Sequence, residues 1–135
     1  QFSQGGRRFA PYLAPAIKRN KEAATQWTLK ELRGNPKVAD ESLLGHEGGL
    51  KLAVEMEPDL IFLVTDGVLN KRIKVDGSYK YPEIPYDVLI GSIDRNLRRL
   101  GARTRIHAIG FELKDKDRRG LERLTRRFGG KVREF

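Results

Sequence analysis

The stretch that most narrows what this chain can fold into is Pro58 to Gly67, Pro-Asp-Leu-Ile-Phe-Leu-Val-Thr-Asp-Gly. Leu60 to Val64 are apolar without a break, lacking the polar alternation of a strand that keeps one face in water. Such a run predicts the central strand of a parallel sheet, buried on both faces. Pro58 and Asp59 interrupt any preceding helix. Thr65, Asp66 and Gly67 then put a hydroxyl, a carboxylate and a flexible turn just past the strand's carboxyl end. Ligands of open α/β sheets bind at that end of the strands. The competing reading is that Asp66-Gly67 is an ordinary turn pair.

Around this strand the remaining elements fall into place. Arg8 to Tyr12 reads as a short edge strand. Lys21 to Arg33 reads as a helix with Asn20 as its N-cap and Trp27 in the core, ended by Gly34-Asn35-Pro36. Leu43, Leu50, Ala53 and Val54 share one stripe of a second helix. Gly45, Gly48 and Gly49 would each cost about 1 kcal/mol in its interior, so either it begins late or its first turn lies against another backbone. Val68 to Pro85 reads as a long surface insertion with a hairpin tip at Asp76-Gly77. Tyr86, Leu89, Ile90, Ile93, Leu97 and Leu100 recur at helical spacing and Gly101 closes the helix. Thr104 to Phe111 is a strand, Asp117 caps a helix over Arg118 to Phe128, and Lys131 to Phe135 is a last strand. Helix and strand alternate, which predicts a parallel sheet with right-handed crossovers, an α/β fold in a single domain over residues 1–135.

The net charge of +9 is concentrated in one place. Gln1 to Asp94 carries 13 basic and 13 acidic residues, whereas Arg95 to Phe135 carries 14 and 5. Arg95, Arg98 and Arg99 lie on the outer face of one helix and Arg118, Arg119, Arg123, Arg126 and Arg127 on that of another. This asymmetry fits an anionic neighbour, such as nucleic acid, acidic lipid or an acidic protein face, or a solvated basic surface. No aromatic residues interleave the arginines as a single-strand platform requires.

Enzyme chemistry finds little footing. The chain has no cysteine, so it has no thiol nucleophile and no disulfide framework. His46 stands among glycines and His107 within a strand, each without a partner motif. No Ser-His-Asp arrangement, phosphate-cradling glycine loop or carboxylate pair is present. Haloacid-dehalogenase-like phosphatases and response-regulator receivers both resemble parts of the Pro58–Gly67 stretch, but Val64 stands where each needs its nucleophilic aspartate.

Three stretches together resemble the von Willebrand factor A domain of the bacterial kind. Pro58 to Gly67 is similar to its fourth strand and Thr-Asp-Gly. Thr104 to Glu112, Thr-Arg-Ile-His-Ala-Ile-Gly-Phe-Glu, is similar to its fifth strand, and Leu121 to Phe135 to its closing helix and strand. The resemblance implies a Rossmann-like, mostly parallel sheet flanked by helices. It also implies an amino-terminally incomplete domain, lacking the family's first strand and its Asp-x-Ser-x-Ser, so that Leu60 to Val64, beside which that strand would lie, has an unpaired edge unless something replaces it. In that family Asp-x-Ser-x-Ser, a Thr and the Asp of Thr-Asp-Gly hold Mg²⁺ through oxygens, and a partner's carboxylate completes the shell. Asp66 matches the last of these. Leu44 falls where the Thr is expected, Ser42 is the nearest hydroxyl, and Asp40-Glu41-Ser42-Leu43-Leu44 imitates the first motif only in part.

The expectation is therefore a non-enzymatic protein-interaction module. It docks a protein partner, or the remainder of a longer chain, at Thr65, Asp66 and Gly67, with an incomplete Mg²⁺ site at Asp66 and Ser42. The alternative is a basic nucleic-acid-associated domain using the arginines of helices 95–100 and 118–127.

Overall fold

In a computed structural model, residues 9–10, 12–33, 45–71 and 73–135 are described. The elements are α1 (Lys18–Arg33), α2 (Gly45–Val54), β1 (Leu60–Thr65), β2 (Ile73–Val75), β3 (Ser78–Lys80), α3 (Tyr86–Leu100), β4 (Arg105–Gly110), α4 (Asp115–Arg127) and β5 (Val132–Glu134). β1, β4 and β5 form a parallel sheet in that order, with Phe62 opposite His107 and Ile109 opposite Arg133. The α/β class and the parallel pairing are as expected.

β1 does not take the central, doubly covered position expected of it, whereas the unpaired edge implied for Leu60 to Val64 is found among the described residues. β1 is an edge strand among the described residues, and only one of its faces is covered. Both crossovers, β1 through α3 to β4 and β4 through α4 to β5, step in the same direction across the sheet. Right-handed connections that step the same way deposit their helices on the same face. Ile61, Leu63, Ile106, Ala108 and Val132 accordingly pack against a core that includes Leu50, Val54, Leu89, Ile93, Leu121 and Leu124 from the helices. The other face shows Phe62 at 61% and Val64 at 59% exposure. The unbroken apolar run therefore reflects one covered face and one open face.

The edge is open as well. Asp59 O accepts from Arg105 N and Thr65 O from Phe111 N, both on the β4 side. In a parallel ladder alternate residues bond to opposite edges, so Leu60, Phe62 and Val64 turn their backbone groups to the far edge. No described strand pairs with them there.

Local chemistry explains most element boundaries. α3 begins right after Pro85, and Gly101 closes it in the left-handed region at φ 65°. Asp76 and Gly77, at φ 50° and 78°, make the two-residue turn joining β2 and β3. α2 spans Gly45–Val54 and so contains all three glycines; its first turn lies against another backbone, with Gly45 bridged to Lys71 and His46 N donating to Asn70 O, while Leu50 and Val54 are buried in it and Ala53 is half-buried.

Three boundaries depart from the sequence reading. α1 starts three residues before Lys21, and Asn20, instead of capping it, lies inside and donates from its side chain to Pro15 O. Trp27 is half-buried against Phe9, with ring centroids 6.1 Å apart, and is not part of the core. α4 starts at Asp115, which places Asp117 within its first turn instead of at the cap. The expected edge strand falls partly outside the described residues, and Phe9, Ala10 and Tyr12 form bends. Asp40 to Leu44 lie wholly outside them. No helix among the described residues is long and apolar enough to cross a membrane.

Candidate functional site

The turn after β1 is held by three hydrogen bonds from three directions. Gly67 N donates to Thr65 Oγ1 at 2.9 Å, which turns the buried Thr65 hydroxyl inward. Val68 N donates to Asp66 Oδ1 at 3.1 Å, the aspartate's usual way of fixing a turn. Tyr86 Oη donates to Gly67 O at 2.8 Å from the first residue of α3. Gly67 itself has φ +89° and packs so closely on α4 that an added Cβ would sit 2.5 Å from Asp117 Cβ. The result is an exposed Asp66 carboxylate on a backbone with little freedom, at the carboxyl end of β1.

Tyr86 and Asp117 escaped the sequence reading as parts of this site. Tyr86 is buried, and its ring occupies the space a side chain at position 120 would need: a Cβ on Gly120 would meet Tyr86 Cδ2 at 2.2 Å. A glycine inside an arginine-rich helix was the available signal, because it is costly there unless something approaches closely. Burial, then the carboxylates of Asp117, Glu83 and Asp66, push the Tyr86 phenol well above its ordinary value of 10.0. Asp117 is 4% exposed, with no side-chain hydrogen bond among the described residues, and lies in the first turn of α4, where the helix dipole favours a negative charge. Lys116 closes the rim by pairing with Glu83 at 2.6 Å.

The phenol gives a readable consequence. A group whose folded pKa is raised contributes stability that is complete below its unfolded value and lost as pH rises through the folded one. Alkaline titration followed by phenolate absorbance is expected to show a late step, above the ordinary phenol range, in which Tyr86 ionises together with loss of the helical circular dichroism signal. Tyr86→Phe is expected to remove that late step, and its persistence in the variant would contradict the assignment.

Asp66 is the one residue of the expected ion site that the structure describes, since Ser42 lies outside the described residues. Among the described residues there is no group of three or more metal-ligating side chains that would hold an ion. Thr65 Oγ1 is already engaged by Gly67 N. The chain matches no known protein family, no curated protein and no solved structure.

Of the eight arginines singled out for an anionic partner, five pair with carboxylates of the chain, two of them, Arg123 and Arg127, across from α4 to α3. Arg127 reaches Asp94 on α3 at 2.7 Å, and Arg98, one turn on, pairs with the same carboxylate. Hydrogen bonds from Arg127 and then Arg98 hold Asp94 below the usual carboxylate range. Arg123 approaches Asp87 at 3.6 Å, Arg99 approaches Glu55 at 3.9 Å, and Arg118 binds Glu134 on β5 at 2.7 Å as well as Asp115. Arg95, Arg119 and Arg126 have no acidic partner within ion-pair distance among the described residues. An open cleft of about 740 Å³, lined by Asp59, Asp94, Arg98, Arg103, Thr104 and Arg127, lies at the opposite end of the sheet from Asp66. The carboxyl ends of α3 and α4 converge there, and their partial negative charge and the two carboxylates are set against four arginines, Arg98, Arg103, Arg105 and Arg127.

The histidines have structural explanations. His46 Nδ1 accepts from Asn70 N at 2.9 Å while His46 N donates to Asn70 O, which pins α2 to the segment after β1. His107 lies against the Phe62 ring, with centroids 5.6 Å apart.

Proposed function

We propose that this chain is a non-enzymatic protein-interaction module of the von Willebrand factor A type, docking a protein partner at Thr65, Asp66 and Gly67. The observation that carries the reading is the exposed Asp66 carboxylate on a turn fixed by Thr65, Val68 and Tyr86. A rigid, solvent-facing acid at a sheet's carboxyl end is what recognition by a basic side chain or a shared cation requires. Where the partner brings further oxygens, Asp66 and those oxygens would together hold Mg²⁺, which would supply the attraction between the two surfaces. Where it brings an arginine or lysine, no ion is needed. The pairing of five of the eight arginines with acids on the same chain weighs against the nucleic-acid alternative.

The test is a pull-down of partners from the source lysate, repeated with Asp66→Ala, with chelator and across a salt series. Asp66→Ala is expected to reduce capture of a specific protein at least about tenfold, the loss of one well-made charged contact. Its melting temperature is expected to fall only slightly, since the exposed Asp66 side chain accepts one hydrogen bond, from Val68 N, and capture is compared at equal folded concentration. Chelator reproduces the loss only if an ion is shared. Capture that is indifferent to Asp66 but falls steeply with salt and tracks nucleic acid would overturn the reading in favour of the arginines.

A further inference from the structure

The open face of the sheet is a different surface from the Asp66 turn. Side chains alternate along strands, so Leu60, Phe62 and Val64 of β1 share this face with His107 and Ile109 of β4. At its carboxyl end Phe111 and Phe135 stack with centroids 6.0 Å apart, exposed at 45% and 72%. The patch is contiguous, apolar and aromatic, unlike the scattered exposed leucines of an ordinary surface. Faces of parallel sheets are covered by helices, and here α2, α3 and α4 all pack on the opposite side.

The charge around the patch restricts what covers it. Arg105, Lys131 and Arg133 are exposed at its margin, and no carboxylate lies within ion-pair distance of them among the described residues. A second copy laid face to face would set these cations against themselves. The chain's own α1, which is outside the core, carries Lys18, Arg19, Lys21, Lys30 and Arg33 against Glu22 and Glu31, so it too has the wrong sign. We propose that the open face receives an amphipathic helix of a partner protein, its apolar stripe on Phe62, Val64 and Ile109 and its flanking carboxylates on Arg105, Lys131 and Arg133. This partner is independent of the one at Asp66.

Two labelled synthetic helical peptides test this, one with a leucine stripe flanked by glutamates and one with lysines in place of the glutamates. Binding is followed by fluorescence anisotropy. The acidic peptide is expected to bind, with the lysine peptide at least about tenfold weaker. Phe62→Ser is expected to lose at least about tenfold for the acidic peptide while keeping the wild-type circular dichroism, since the ring lies outside the core. The triple variant R105E/K131E/R133E is expected to reverse the preference between the two peptides. Failure of the acidic peptide to bind, equal binding of both peptides, or indifference to Phe62→Ser overturns the proposal. So does a dimer in sedimentation that Phe62→Ser dissolves, which assigns the face to a second copy. Asp66→Ala is expected to leave peptide binding unchanged, so failure here and failure at the turn are read separately.

Discussion

Gly130→Ala is expected to remove a large part of the chain's stability, about 4 kcal/mol or more against the 5–15 kcal/mol typical of a small domain. A Cβ at this position would sit 1.9 Å from the carbonyl oxygen of Ile106 and 2.5 Å from its carbonyl carbon. The obstacle is backbone of a sheet strand, which has no side-chain rotamer to escape into. Nor is residue 130 free to retreat: Gly130 N donates to Thr125 O at 2.8 Å, and the next residue, Lys131, accepts from Ala108 N at 3.0 Å. The neighbouring glycine is the control. Gly129 has φ +67°, but a Cβ there would meet nothing nearer than Arg105 Cγ at 3.7 Å. Gly129→Ala is therefore expected to cost only the left-handed strain, about 1 kcal/mol. Urea unfolding followed by circular dichroism separates the two; fluorescence does not serve, because Trp27 lies outside the core. Equal midpoints for the two variants would show that the close approach to Ile106 does not constrain the fold.

Gly67→Ala is expected to cost about 3 kcal/mol or more, and to damage docking at Asp66 beyond what the stability loss explains. Two penalties add: a φ of +89° that L residues rarely adopt, and a Cβ 2.5 Å from Asp117 Cβ and 3.0 Å from Leu113 Cδ2. Asp117→Ala does not relieve the collision, because alanine keeps the offending Cβ. Asp117→Gly in the same chain is expected to recover the Cβ–Cβ part of the collision, less the about 1 kcal/mol that a glycine costs in a helix, and to leave the Leu113 contact and the dihedral strain. The measurement is a thermal melt of the single and double variants, paired with partner capture at equal folded concentration. A Gly67→Ala protein that melts and docks as wild type would remove the turn's rigidity from the account.

What the sequence made legible was local. The helical spacing from Tyr86 to Leu100, closed by Gly101, marked α3 at both ends, because capping chemistry and amphipathicity agree there. Asp76-Gly77 gave the hairpin turn for the same reason. The run from Leu60 to Val64 gave the strand but not its surroundings. Residues that face a core and residues that face an open surface are equally apolar in it, so the alternation that distinguishes them is missing. Their fates depend on the direction of two crossovers, which no five-residue window contains. The candidate site divided in the same way. Thr65, Asp66 and Gly67 were readable as a turn at a strand end, whereas Tyr86 and Asp117 reach it from 19 and 50 residues beyond Gly67. Asn20 misled because a capping residue type stood one turn inside the helix, with Pro15 O offering its side chain another acceptor.

The contact of Gly120 with the Tyr86 ring joins the two helices that follow β1 and β4 at one point, and that same tyrosine grips the carbonyl of Gly67. A shift of α4 relative to α3 therefore cannot stay private to the helices. It tugs on the peptide next to Asp66, so anything that loosened this seam would be felt as a change in where the acid sits.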